Sequence, residues 1–107
     1  MSSVRAFELY LTAEDILDVE VRLEGGAVME FVVNYRERIG GTWREVVRYD
    51  TCHGYLHRHR FWLEGPPAVQ PMENPARPAG DYGERLTRAL GELRRNWRDY
   101  RSRMELK

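Results

Sequence analysis

The chain has 107 residues, which is enough for one domain with one modest hydrophobic core. Apolar residues make up 42% and charged residues 32%, as in ordinary globular domains, and no apolar run approaches the roughly 18 residues that cross a bilayer. The single cysteine, Cys52, excludes a disulfide framework and a cysteine-based zinc site within one chain. The first twenty residues lack an uncharged apolar segment, so we expect no signal peptide and a cytoplasmic protein.

The formal net charge is zero, but the charges are unevenly spread. Residues 1–35 hold seven carboxylates and two arginines, whereas residues 81–107 hold eight basic and five acidic side chains. Residues 36–63 are also basic, with six arginines and three carboxylates. The basic segments suit nucleic acid or an acidic partner, and the alternative is that they are ordinary solvated surface.

Alternating apolar and polar residues over the first half of the chain predict β-strands. We predict strands over residues 4–11, 17–24, 27–38, 43–51 and 56–63. The glycine pairs at 25–26 and 40–41 suit tight hairpins, and TAED at 12–15 suits a turn. The predicted inward faces are Leu17, Val19, Val21 and Leu23, then Ala27, Met29, Phe31, Val33 and Tyr35, then Trp43, Val47 and Tyr49.

Residues 64–80 hold all five prolines of the chain. That density predicts a loop without helix or ladder pairing, and its length raises the prospect of function or mobility.

The last segment, about residues 81–105, has the spacing of an amphipathic helix. Asp81 and Glu84 have the spacing of a capping box, with Asp81 as the cap. The apolar stripe is Tyr82, Leu86, Ala89, Leu90, Leu93, Trp97, Tyr100 and Met104. We therefore predict a single α+β domain over residues 1–107, with an antiparallel meander sheet of four to five strands covered by one long C-terminal helix.

All three histidines fall within RYDTCHGYLHRHRFW, residues 48–62. Residues two apart on a strand share a face, so His57 and His59 point the same way. Arg58, Arg60 and Trp62 take the opposite parity.

One interpretation is a metal-independent ribonuclease. RNA supplies its own 2′-hydroxyl nucleophile, so the protein needs only proton transfer and charge stabilisation. His57 and His59 are the predicted acid–base pair, His53 is a third candidate, and Asp50 would orient a histidine. Phosphate would be held by Arg48, Arg58 and Arg60, and bases would stack on Tyr55 and Trp62.

Two alternatives stay open. His57 and His59 could bind a metal ion together with His53 or Asp50, because alternating histidines on a strand can meet one ion. The segment could also be a non-enzymatic module that binds nucleic acid or protein, or that forms a homo-oligomer through the sheet edge or the helix. The chain has no phosphate-binding glycine fingerprint, and our expectation is no cofactor, no metal ligands and no membrane partner.

The run REVVRYDTCHGYLHRHRFW, residues 44–62, resembles short prokaryotic proteins of unknown function. Some of these are described as predicted toxins of toxin–antitoxin pairs. The resemblance implies a small RNA-directed toxin with a protein antitoxin as partner. The matching positions are Arg48, Asp50, His53, His57 and His59.

Overall fold

Six antiparallel strands follow one another along the chain, and each pairs with its neighbour in sequence. The computed structural model describes residues 1–107. Its elements are β1 (Ser2–Thr12), β2 (Asp15–Glu24), β3 (Ala27–Ile39), β4 (Thr42–Asp50), β5 (His57–Arg60), β6 (Val69–Pro71) and the helix α1 (Gly83–Glu105). The predicted α+β class, meander order and C-terminal helix are confirmed, as are the tight turns at the two glycine pairs, where φ is positive.

The sheet has six strands rather than the predicted four to five, because the proline-rich segment contributes one. β6 pairs with β5, and Pro71 lies opposite His57. Proline cannot donate to a ladder, but it is tolerated on an edge strand whose outer side has no partner. The prediction that residues 64–80 form no ladder is therefore wrong, and a 3₁₀ turn at Pro66–Ala68 precedes the strand.

Glu73 holds the rest of the proline-rich segment in place. Its nearly buried carboxylate accepts hydrogen bonds from the backbone N–H groups of Leu56 and Ala79, at 2.6 and 3.0 Å. It also accepts one from the Tyr82 hydroxyl at 2.6 Å. One carboxylate thus joins the residue before β5, the loop and the residue before α1.

A β-bulge changes the predicted inward face of β3. Arg22 lies opposite Glu30 and Leu23 lies opposite Val28, so Met29 is an extra residue. An extra residue reverses the alternation of side chains. Val28 consequently joins the core, whereas the sequence predicted Ala27 and Met29 there.

A second bulge, at Val46, changes the predicted inward face of β4. Val46 and Val47 are both fully buried, although they are adjacent in sequence. Trp43 is thereby turned out of the core, and its ring lies under the Arg36 guanidinium at 4.4 Å. The prediction that Trp43 shares a face with Val47 and Tyr49 is wrong for this reason.

α1 covers the centre of the sheet with its apolar stripe. The buried residues of the helix are Ala89, Leu93, Trp97, Tyr100 and Met104, and they pack on β3 and β4. Asp81 lies just before the helix and accepts hydrogen bonds from the N–H groups of Gly83 and Val28. The N-cap residue is Tyr82 and Glu84 pairs with Arg88, so the predicted capping box with Asp81 as the cap is wrong. No helix of the protein is both long and apolar enough to cross a membrane.

Candidate functional site

The sheet has one face covered by α1 and one uncovered face, which we call the open face. Side chains of β5 alternate between the two. The His59 ring stacks on Phe61, with centroids 3.9 Å apart, on the open face. Arg58 points the other way and reaches the Tyr100 hydroxyl of α1 at 3.4 Å. The sequence predicted that the histidines and Arg58 lie on opposite sides of the strand, and the structure places them in two different environments.

Five rings line up on and beside β5, and we call them the ring row: His53, Tyr55, His57, His59 and Phe61. The centroids of His53 and His57 are 6.3 Å apart, and those of Tyr55 and His57 are 5.7 Å apart. His53 is exposed and the other four are partly exposed. The row thus presents a series of aromatic surfaces along one strand.

Arg48 and Asp50 of β4 lie beside the ring row, opposite His59 and His57 respectively. The Arg48 guanidinium is 5.5 Å from the centre of the Phe61 ring and pairs with Glu45 at 3.1 Å. The Asp50 carboxylate accepts a hydrogen bond from the backbone N–H of Cys52, and this bond fixes the turn that follows β4. The fold therefore brings Arg48, Asp50, His53, His57 and His59 to one part of the open face.

Arg58, Arg60 and Trp62 lie apart from the ring row and hold β5 in place. Arg58 donates to the Gln70 side chain at 2.7 Å, and it is 3.6 Å from the Glu92 carboxylate. Arg60 donates to the carbonyl of Pro67 at 2.6 Å. Trp62 stacks on Tyr100, with centroids 5.4 Å apart. The contacts of these three side chains are made within the fold.

His53 is the only non-glycine residue with a positive φ, at 69°. It lies in the short 3₁₀ turn Cys52–Gly54 between β4 and β5. A left-handed backbone costs a side-chain-bearing residue on the order of 1 kcal/mol, and such strain is concentrated at functional sites. The turn places His53 next to His57, and it also borders an open groove of about 380 Å³.

His59 has a pKa below its ordinary value, first because of burial and second because of the positive charge of Arg48. Its imidazole therefore favours the neutral form, which can both donate and accept a hydrogen bond. No three His, Cys, Asp or Glu side chains come together in a group that could hold a metal ion.

The family model described as "Domain of unknown function (DUF7718)" matches residues 1–107. The chain belongs to this family. Searches among curated proteins and among solved structures find no match to it.

Within this DUF7718 domain, one member of the ring row, Phe61, shares the strand parity of His57 and His59 in the sequence but was not among the predicted site residues. It lies directly after β5, stacks on His59 and faces Arg48. The available signal was its position two residues beyond His59, since residues two apart on an extended chain share a face.

The open face of the DUF7718 domain carries two kinds of charge. Across β1, β2 and β3 the carboxylates of Glu8, Asp18, Glu20 and Glu30 outnumber their arginine partners. Arg36 offsets two of them, with 2.7 Å contacts to Glu8 and Asp18. On the β4–β5 side, Arg48 lies beside the histidines and is paired with Glu45 at 3.1 Å and Asp50 at 3.8 Å, so an anionic ligand there competes with these two carboxylates for the guanidinium group.

Proposed function

We propose that this cytoplasmic protein binds single-stranded RNA along the ring row. The observation that carries the proposal is the alignment of five partly or fully exposed rings on an uncovered sheet face beside Arg48. Sheet faces with exposed rings bind single strands by stacking bases, and each stacked base contributes about 1–3 kcal/mol. Phe61 and Tyr55 lie near the two ends of the row, and Arg48 is placed to meet a phosphate.

The charges of the open face limit where an RNA strand can lie. Carboxylates on β1 to β3 repel phosphate, whereas on the β4–β5 side Arg48 attracts it and the imidazoles can hydrogen-bond to it. The strand consequently runs along β5 rather than across the sheet. Arg58 and Arg60 take no part, because they lie on the helix-covered side of β5, opposite Tyr49 and Val47, whereas Arg48 lies on the open face.

Cleavage of the bound RNA without a metal is the second part of the proposal, in the manner of a small toxin held by a protein antitoxin. It is favoured by the closeness of two imidazoles, since the centroids of His53 and His57 are 6.3 Å apart and both rings can approach the same phosphodiester. Asp50 is the cross-strand neighbour of His57, and we assign it the role of orienting that ring. His59 is less suited than His57 to proton transfer, since Phe61 covers one side of its ring.

Cleavage is a transesterification in which the 2′-hydroxyl of the RNA is the nucleophile. One imidazole takes the proton of the 2′-hydroxyl, and the oxygen attacks the adjacent phosphorus. The bond from phosphorus to the 5′-oxygen breaks, and the second imidazole gives that oxygen a proton. The products are a 2′,3′-cyclic phosphate and a free 5′-hydroxyl.

Binding is tested by fluorescence anisotropy with a labelled, unstructured RNA oligonucleotide in EDTA. We expect Phe61→Ala and Arg48→Met each to weaken binding roughly tenfold, because each removes a stacking or phosphate contact. The control is Arg94→Met, which removes an exposed arginine of α1. No binding by the wild type, or loss only in the Arg94 variant, overturns the proposed site.

Cleavage is tested separately by following the same RNA on a denaturing gel. We expect His53→Ala and His57→Ala to lose cleavage of bound RNA, and His59→Ala to weaken binding more than turnover at saturation. A cyclic phosphate end on the product is the chemical signature. RNA binding without any cleavage by the wild type removes the enzymatic part and leaves a binding module.

A further inference from the structure

The outer edge of β1 has no partner, although β1 is one of the longest strands. It runs over 11 residues, its outer backbone groups are exposed, and it contains no proline. Proteins usually protect such edges with charges, prolines or short strands, because an open edge pairs with another chain. The opposite edge of this sheet shows that protection, since β6 has three residues and ends in Pro71.

Three large apolar side chains on β1 are exposed: Val4 by 60%, Phe7 by 45% and Tyr10 by 66%. Phe7 is the midpoint of Ser2–Thr12, and the other two lie three residues to either side. Val4 and Tyr10 are on the open face, opposite Arg22 and Ile16, whereas Phe7 is on the helix-covered face, opposite buried Val19.

We propose that β1 pairs with β1 of a second copy of this chain, antiparallel, about a twofold axis at Phe7. Directly opposite residues of an antiparallel pair share a face, so the axis must pass through a residue position. With the axis at Phe7, each Val4 lies opposite the Tyr10 of the other copy and the two Phe7 rings meet. All three exposed apolar side chains are then matched with one another in a continuous 12-stranded sheet.

The charges of β1 favour this register over its neighbours. Arg5 lies opposite Leu9 of the other copy, and Glu8 lies opposite Ala6, so no like charges face each other. Each Glu8 is also paired with Arg36 of its own chain at 2.7 Å. An axis at Glu8 would place two carboxylates opposite each other, and an axis at Ala6 would place Val4 opposite Glu8.

The dimer does not depend on RNA binding. Tyr55, His57, His59 and Phe61 lie on or beside β5, near the other edge of the sheet, so β1 pairing leaves them uncovered, whereas His53 borders a groove that Val4 of β1 also lines. A twofold axis perpendicular to the sheet keeps both open faces on the same side, each with its own row.

Light scattering during size exclusion, in the absence of RNA, measures the mass in solution. We expect the wild type to elute at twice the 12.7 kDa of the chain, and Phe7→Lys to elute at 12.7 kDa with an unchanged circular dichroism spectrum. Val69→Lys, on the opposite edge, is the matched control and is expected to stay dimeric. A monomeric wild type throughout the micromolar range, or a monomeric Val69 variant with a dimeric Phe7 variant, overturns the proposal.

Oxidative cross-linking in a Cys52→Ser background tests the register. Opposite Cα atoms of an antiparallel pair are about 4.5–5.5 Å apart, which a disulfide can bridge. We expect Phe7→Cys to form a cross-linked dimer alone, and Arg5→Cys and Leu9→Cys to cross-link only when mixed. Cross-linking of Arg5→Cys with itself, and none of Phe7→Cys, contradicts the assigned axis.

Discussion

Arg101 of α1 lies with one guanidinium nitrogen 2.8 Å from both carboxylate oxygens of Asp15, the first residue of β2. Asp15 is almost fully buried, and it also accepts hydrogen bonds from the Tyr35 and Thr12 hydroxyl groups. Buried Glu37 lies beside this pair, 3.7 Å from Arg101. Two buried carboxylates thereby fasten the C-terminal part of the helix to the sheet.

Replacing Arg101 by Leu should be strongly destabilising. Asp15 and Glu37 would keep their burial but lose a cation, and breaking such a pair costs about 3–5 kcal/mol. The control is Arg103→Leu, which removes an exposed pair with Asp99 and should cost less than about 1 kcal/mol. Urea unfolding at one fixed protein concentration measures both variants. Equal small losses would show that the Asp15 cluster does not depend on Arg101.

Glu73→Ala should loosen the proline-rich segment. The change leaves two backbone N–H groups and the Tyr82 hydroxyl without their acceptor, and we expect a loss of about 3 kcal/mol in the free energy of unfolding. Glu64→Ala, at an exposed carboxylate, is the control. Hydrogen exchange should become faster over residues 69–80 in the Glu73 variant, and unchanged protection there would contradict this role.

Glu73 also predicts acid sensitivity. Burial raises its pKa, but the hydrogen bonds from Tyr82, Leu56 and Ala79 together hold that pKa below its ordinary value. A carboxyl group whose pKa is lowered in the folded state stabilises the fold at pH values above its ordinary pKa of 4.5. This stabilisation is lost as the pH falls through the pKa of the folded state. The free energy of unfolding of Glu73→Gln, measured by urea unfolding at several acidic pH values, should therefore fall less steeply with decreasing pH than that of the wild type.

The sequence predicted most of the sheet because its signals are local. Strict alternation from Leu17 to Leu23 and the glycine pairs are properties of neighbouring residues. The bulges at Met29 and Val46 have no such signal, since each depends on which residue of the partner strand lies opposite. β6 was missed because proline content argues against strands in general, whereas edge position depends on the whole sheet.

Only the local features of the candidate site could be predicted from the sequence. That His57 and His59 share a face followed from strand periodicity, and the structure adds Phe61 beside them. The side-chain contacts of Arg58 could not be predicted, because its partners lie 12 to 42 residues away in the sequence, at Gln70, Glu92 and Tyr100. Long-range ion pairs of this kind leave no periodic trace in a single sequence.

The lowered pKa of His59 predicts that stability falls in mild acid. The unfolded imidazole binds a proton near pH 6.5, whereas the folded one does so only at lower pH. The free energy of unfolding should thus decrease as the pH drops through that window, and His59→Phe should flatten the decrease. In an NMR titration, Arg48→Met should raise the pKa of His59, since it removes the second cause of the shift. A pKa that does not move would contradict the role of Arg48.

Replacing His53 by Gly should stabilise the fold while harming the proposed chemistry. Glycine adopts a φ of 69° without the side-chain penalty, so we expect a gain of up to about 1 kcal/mol in the free energy of unfolding. His53→Ala keeps the strain and should bring no gain. RNA cleavage should be lost in both variants, and retained cleavage in either would show that the strained turn serves another purpose.

The meander order has a consequence for how the protein is made. Strands β1 to β4 pair only with sequence neighbours, so these hairpins can close over short loops while the rest of the chain is still being synthesised. Asp15 and Glu37 belong to those early hairpins, yet Arg101 is added about sixty or more residues later. A nascent sheet on the ribosome therefore carries two carboxylates whose burial must wait for the helix, and the final packing of the domain is a late event of translation.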